Sequence, residues 1–251
     1  MQNLKGKVAL VTGSGRRIGA VTIRALHAAG ATVVVHYRNS AKDAEQLCAD
    51  LNNERTGSCF LQQADLLDVA SFPIMIESII QKAGRLDILV NNASSFYPTK
   101  VGEITEQHWD DLMGSNLKAP LFLSQAAASE LKKNQGCIVN MVDIYGVNPL
   151  KDHPVYSSAK AGLIMLTKSL ARELGPDVRV NGVAPGVILW PENNNEDGSV
   201  DAEGSQQALL DKSCLKRQGS PQDIAETILF LVEKASFITG HVIPVDGGRL
   251  L

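Results

Sequence analysis

Seven short runs rich in β-branched residues punctuate the chain, and this rhythm limits the fold more than any other feature. They are VALVT (8–12), TVVVHY (32–37), CFLQQA (59–64), ILVNNA (88–93), CIVNMV (137–142), VRVNGV (178–183) and VIPV (242–245). Between them lie segments with apolar residues at helical spacing, such as IGAVTIRALHAAG and VASFPIMIESIIQKAG, several ending at a glycine that can stop a helix. Strands alternating with helices predict an α/β fold: a doubly wound parallel sheet of about seven strands with helices on both faces. Strands buried on both sides need the near-continuous valine and isoleucine seen here.

At 251 residues with 44% apolar residues, the chain reads as one domain with a single large core. Its net charge is −3 with both signs interspersed, which offers no basic surface for nucleic acid. No apolar run approaches the roughly 20 residues of a membrane span, and MQNLKGK leads into the first strand without a signal-peptide core. The expectation is a cytoplasmic protein without membrane contact. Cys48, Cys59, Cys137 and Cys214 show no C-x-x-C spacing and the five histidines form no metal-ligand pair, so each cysteine reads as a small apolar residue and no metal is expected. One compositional break, PENNNEDGSVDAEGS (191–205), reads either as a substrate loop, about 187–213, or as plain surface disorder.

TGSGRRIG (12–19) follows the first strand. Gly13 and Gly19 bracket a strand-to-helix turn whose backbone N–H groups can meet a pyrophosphate, as in a Rossmann-like fold, although a glycine turn after any buried strand looks similar. The second strand ends His36, Tyr37, Arg38, Asn39, Ser40, without the acidic residue that would bind an unphosphorylated ribose. Arg38 can pair with a 2′-phosphate, Ser40 can hydrogen-bond it, and Arg16 can join from the neighbouring turn, which favours NADPH. Solvated surface arginines are the plain alternative.

In YSSAK, Tyr156 and Lys160 stand four residues apart, hence on one helix face, with Pro154 suited to the helix start. A nearby ammonium favours the phenolate of a residue whose ordinary pKa is about 10. Alone, the Y-x-x-x-K spacing recurs in many helices.

Taken together, TGSGRRIG, NNA (91–93), Asn116 in GSNLKAP, YSSAK, RVNGVAPG (179–186) and the final VDGG resemble the short-chain dehydrogenase/reductase family over nearly the whole chain. Within it, HYRNS (36–40), NNASSFYPT (91–99), NMVDIYG (140–146) and ILWPE (188–192) are similar to the pteridine reductases. The resemblance implies that Asn116 holds a water in a proton relay, that Tyr156 donates a proton, and that Lys160 lowers the phenol's pKa while gripping the nicotinamide ribose. The family's usual serine, thirteen residues before the tyrosine, is Asp143 here, as in the pteridine reductases.

The same resemblance assigns Arg17, in place of a glycine, to a clamp between cofactor phosphate and pterin. Phe96 becomes an aromatic lid, and Ser95 can reach the pterin or a phosphate. Asp65 falls where the family binds the adenine amino group, and Asn92 lies along the adenosine ribose. Ile18, Ala93, Ser94, Pro185 and Gly186 complete the implied cofactor contacts, with His36 and Tyr37 on the adenosine side. The expected activity is NADPH-dependent reduction of an oxidised pterin, dihydropterin to tetrahydropterin, and by extension pterin to dihydropterin or dihydrofolate reduction. The rivals are a 3-oxoacyl thioester (carbonyl) reductase, a dihydromonapterin reductase, and a redox sensor that binds NADPH without turnover. A homotetramer is implied.

Overall fold

A computed structural model describes residues 3–188, 207, 208 and 210–251. Of the expected substrate loop, residues 189–206 and 209 lie outside the described residues, as does all of ILWPE after Ile188.

Alternation within each strand sorts the core into two layers. β1 (Val8–Val11), β2 (Thr32–Tyr37), β3 (Cys59–Gln63), β4 (Ile88–Asn91), β5 (Cys137–Met141), β6 (Arg179–Pro185) and β7 (Val242–Val245) form one sheet in the order β3-β2-β1-β4-β5-β6-β7. All pairings are parallel. Ala9, Val11, Val33 and Val35 point to one face, where they pack with Ile23 and Leu26 of α1 (Arg17–Ala28), Leu47 of α2 (Ala41–Glu54) and Ile228 of α7 (Pro221–Glu233). Val8, Leu10 and Val34 point to the other face. They meet Phe72 and Ile79 of α3 (Phe72–Ala83), Leu123 and Leu131 of α5 (Ala119–Lys133), and Leu174 of α6 (Pro154–Leu174). Period-2 side chains in a sheet covered twice make both layers apolar.

Strand order reverses between β1 and β4, and ligands of such sheets bind outside the carboxyl ends of the strands at that crevice. Between α4 (Glu106–Met113) and α5 the helix widens into a π turn, Gly114–Lys118, which carries Asn116. Cys48, Cys59 and Cys137 are buried, as small apolar residues should be. Cys214 departs from that expectation: it is exposed and donates to the Gly248 carbonyl at 3.3 Å. Among the described residues no helix is long and apolar enough to cross a membrane, and no cluster of His, Cys, Asp and Glu is arranged to hold a metal ion.

Candidate active site

After β1 the chain turns sharply into α1. Gly13 has φ +61, and a Cβ on Gly19 would lie 2.5 Å from the Gly13 carbonyl oxygen, so both positions demand glycine. Arg17 also adopts a left-handed backbone, φ 53, a conformation that costs a residue with a Cβ on the order of 1 kcal/mol. The resemblance set Arg17 in a glycine's place, and the backbone keeps the glycine's geometry. Arg16, just before α1, provides no capping side chain, and the helix has no acid in its first turn, so its N–H groups and positive dipole end suit an anion. Ile18 packs half-buried against the core.

Two expected adenosine-side residues turn inward instead. His36 is 2% exposed, its Nδ1 accepts from Gly13 N–H at 3.0 Å, and burial pushes its pKa down to about 4. The imidazole is therefore a neutral prop under the glycine turn rather than a surface contact. Tyr37 belongs to the core. Both orientations follow from β2 lying inside the sheet, whose faces are covered by helices. Arg38 stays at the surface, 3.8 Å from Asp65, while Arg16 pairs with Asp43 of α2 at 2.9 Å. Ser40 immediately precedes α2, and its hydroxyl lies 2.8 Å from where a Cβ on Gly15 would sit. Arg16, Arg38 and Ser40 thus stand beside the phosphate turn, each arginine already facing a carboxylate.

The turn after β4 is tied to β1. Thr12 Oγ1 accepts from the N–H groups of Asn92 and Ala93 at 2.9 and 3.0 Å, and Asn92 Nδ2 donates to the Thr12 and Gly13 carbonyls. Asn116 Nδ2 donates to the Leu112 and Ser95 carbonyls, both at 2.9 Å, and Asn116 Oδ1 accepts from Ser94 Oγ at 2.6 Å. The π turn therefore anchors the Ser94–Ser95 backbone. Ser95 Oγ donates to Asp111 of α4 at 3.4 Å. Asp65 accepts from Leu67 N–H, shaping its own turn. Pro185 ends β6, and Gly186 N–H donates to the Val245 carbonyl at 3.0 Å, which ties that edge to β7.

At the centre, Asp143 leaves β5 and accepts from Tyr145 N–H through Oδ1 at 2.9 Å. Its Oδ2 accepts from the Tyr156 hydroxyl at 2.7 Å. Lys160, one turn along α6, is 2% exposed; its Nζ donates to the Met141 carbonyl at 2.9 Å and sits 5.5 Å from the Tyr156 ring centroid. Spacing correctly places phenol and ammonium on one face, but the expected direction of the phenol's pKa is reversed. Burial and then the adjacent Asp143 carboxylate push Tyr156 well above 10. Burial raises Asp143 as well, while Tyr145 N–H, Tyr156 and Lys160 oppose it. It lowers Lys160 to about 8, with Asp143 opposing. In this state the phenol keeps its proton and shares it with a carboxylate.

Phe96 lies edge-on to Tyr156, centroids 4.8 Å apart, and stacks on His153 at 4.8 Å and 15°. His153 was not singled out in the sequence, nor was Tyr145, whose N–H supports Asp143. The HP just before VYSSAK was the available signal for His153.

A seven-stranded parallel sheet with a glycine turn after β1 and a Tyr-x-x-x-Lys pair on α6 defines a nucleotide-dependent oxidoreductase, and the chain belongs to the short-chain dehydrogenase/reductase family. The matching family model, described as enoyl-(acyl carrier protein) reductase, covers residues 13–249. Among its relatives, pteridine reductase 1 of Leishmania tarentolae is 38% identical over 97% of this chain and 96% of its own length. A 3-oxoacyl-(acyl-carrier-protein) reductase of Staphylococcus aureus is 36% identical over 98% of both. A blue fluorescent protein from a metagenomic library, solved in complex with NADPH, superposes with a TM-score of 0.90 at 31% identity, covering 99% of this chain and 100% of that one.

Proposed function

We propose that this protein reduces an oxidised pterin, dihydropterin to tetrahydropterin, with NADPH. The residues present fit that cofactor: the uncapped N-terminus of α1 receives phosphate, Arg17 approaches it from the strained turn, and Arg38, Ser40 and Arg16 receive the 2′-phosphate. Bound NADPH supplies a hydride to a ring carbon of the substrate's C=N bond, and the ring nitrogen takes a proton. Tyr156 holds that proton, and Asp143 at 2.7 Å hands the phenol its replacement or delivers a proton itself. Lys160, fixed on the Met141 carbonyl, supplies positive charge beneath the phenol and a donor for a ribose hydroxyl. Phe96 gives a flat heterocycle an aromatic surface, worth about 1 kcal/mol beyond the area buried.

One observation carries the substrate class: a half-buried carboxylate, not a hydroxyl, is hydrogen-bonded to the catalytic phenol. A carboxyl group can exchange protons with a nitrogen-rich ring, whereas a ketone oxygen needs only a neutral donor. The test is NADPH oxidation with dihydrobiopterin, dihydromonapterin, dihydrofolate and a 3-oxoacyl thioester. Turnover confined to the pterins is expected, with the two dihydropterins compared to fix the preferred side chain. Turnover of the thioester alone makes the protein a carbonyl reductase, and tight NADPH binding with no oxidation makes it a sensor.

The assembly proposed is a homotetramer. Trp109 on α4, Leu121 on α5 and Met165 on α6 expose 49%, 36% and 61% of their area, apolar surface that a second copy would cover. Light scattering at four times the chain mass is the expected result.

A further inference from the structure

β2 and the phosphate turn are joined by more than packing. His36 takes up both N–H groups at the root of the turn: Gly13 N–H donates to its Nδ1 at 3.0 Å and Ser14 N–H to its carbonyl at 2.9 Å. The His36 N–H donates back to Ser14 Oγ at 3.2 Å, and that hydroxyl donates to the Val11 carbonyl at 2.7 Å. On its other side Gly13 is held by Asn92, whose Nδ2 donates to the Gly13 carbonyl at 3.1 Å. His36 and Ser14 are 2% and 0% exposed, so water does not replace a lost partner there. An imidazole that accepts through Nδ1 carries its proton on Nε2, and burial, which pushes the ring's pKa down to about 4, keeps that acceptor in place at neutral pH.

We propose that His36 is a positioning residue for the cofactor: its Nδ1 acceptor fixes the Gly13 backbone, and through it the start of α1, where the pyrophosphate common to NADPH and NADH docks. With the Gly13 and Ser14 N–H groups committed to His36, the anion is left to the helix start. There Ala20 N–H makes the first helical bond, to the Arg16 carbonyl at 3.1 Å, and the N–H groups of Ile18 and Gly19 precede it. The two places are mechanically joined. The Gly13 carbonyl oxygen lies only 2.5 Å from where a Cβ on Gly19 would sit, so a backbone that rotates at Gly13 displaces the helix start. β2 thus serves the cofactor twice, through His36 at the pyrophosphate and, beyond the strand end, through Arg38 at the proposed 2′-phosphate. The inference rests on NADPH binding at this turn and is independent of the pterin.

The experiment compares dissociation constants for NADPH and NADH, read from the fluorescence of the reduced nicotinamide, with hydrogen exchange at the Gly13 amide as a second readout. His36→Phe keeps a ring and removes the acceptor. His36→Asn keeps an acceptor at the place of Nδ1, whereas His36→Gln, of the same chemistry, carries its amide one bond further. In His36→Phe both dinucleotides weaken together by about tenfold, and the Gly13 amide loses protection. His36→Asn brings both back to within about threefold of the parent, and His36→Gln does not. A residue that merely fills space is replaced better by Phe than by Asn, the opposite order. NADPH affinity within about twofold of the parent in folded His36→Phe overturns the proposal, as does a loss confined to NADPH, which makes His36 a 2′-phosphate contact. Should the Phe variant not fold, equal affinities in His36→Asn and His36→Gln overturn it as well. A parent protein that binds neither dinucleotide overturns the cofactor assignment and this proposal with it, a failure told apart from the others because it precedes any substitution.

Discussion

Two ends of the same sheet edge use charge in opposite ways. Beyond β1 and β2, the arginines that face the proposed 2′-phosphate are about half exposed and rest against half-exposed carboxylates, Arg16 on Asp43 and Arg38 on Asp65. Beyond β5, Tyr156 and Lys160 are packed under protein and Asp143 is half-buried; Tyr156 donates to Asp143 at 2.7 Å and Lys160 to the Met141 carbonyl at 2.9 Å. Exposed pairs of the first kind contribute about 0–1 kcal/mol and exchange partners readily. Buried groups of the second kind shift one another's protonation because water no longer screens them. The lesson is that this chain keeps its binding charges replaceable and its reacting charges locked.

The contrast breaks first at Tyr156. Tyr156→Phe is expected to lower turnover by about 10²–10⁴-fold while leaving NADPH affinity within a few-fold, because only the locked end loses its proton carrier. Full activity on every pterin tested would remove the phenol from the mechanism.

The next largest effect concerns stability. Lys160 titrates near 8 in the fold against 10.5 when free, so burial disfavours its charged form. Between those values the unfolded chain binds more protons than the folded one, and stability rises with pH across that window by on the order of 3 kcal/mol. Lys160→Met should abolish that rise, as read by denaturant midpoints at a series of pH values, and should abolish turnover too. His36 at the other end mirrors it on the acid side. With its pKa depressed from 6.5 to about 4, it contributes stability that is complete above 6.5 and is lost as pH falls through 4. A stability profile flat on both flanks would mean that neither base is buried.

The exposed end gives the smaller changes. Arg38→Ala removes one charge-assisted contact and is expected to weaken NADPH by about tenfold with little effect on NADH, measured by competition for the same site. Asp43→Asn frees Arg16 from its carboxylate and should tighten NADPH by about twofold at low salt, the gain fading as salt rises. A large effect from Asp43, or none from Arg38, would erase the distinction between the two ends.

Much of this was legible along the chain. The seven β-branched runs mark all seven strands to within one or two residues, because a strand covered on both faces has little latitude in composition. The glycine turn and the Tyr156–Lys160 pair were equally plain, since both depend on local backbone geometry over fewer than eight residues. The inward turn of the His36 and Tyr37 side chains was not legible, because polarity at a strand end says nothing about which face a helix covers. Tertiary structure alone decided that Phe96 would lean on His153 and that Asn116 would anchor the Ser94–Ser95 backbone. It also decided the direction of the phenol's pKa, because burial and the approach of a carboxylate are properties of packing, and no spacing along a sequence encodes how much water a folded chain excludes.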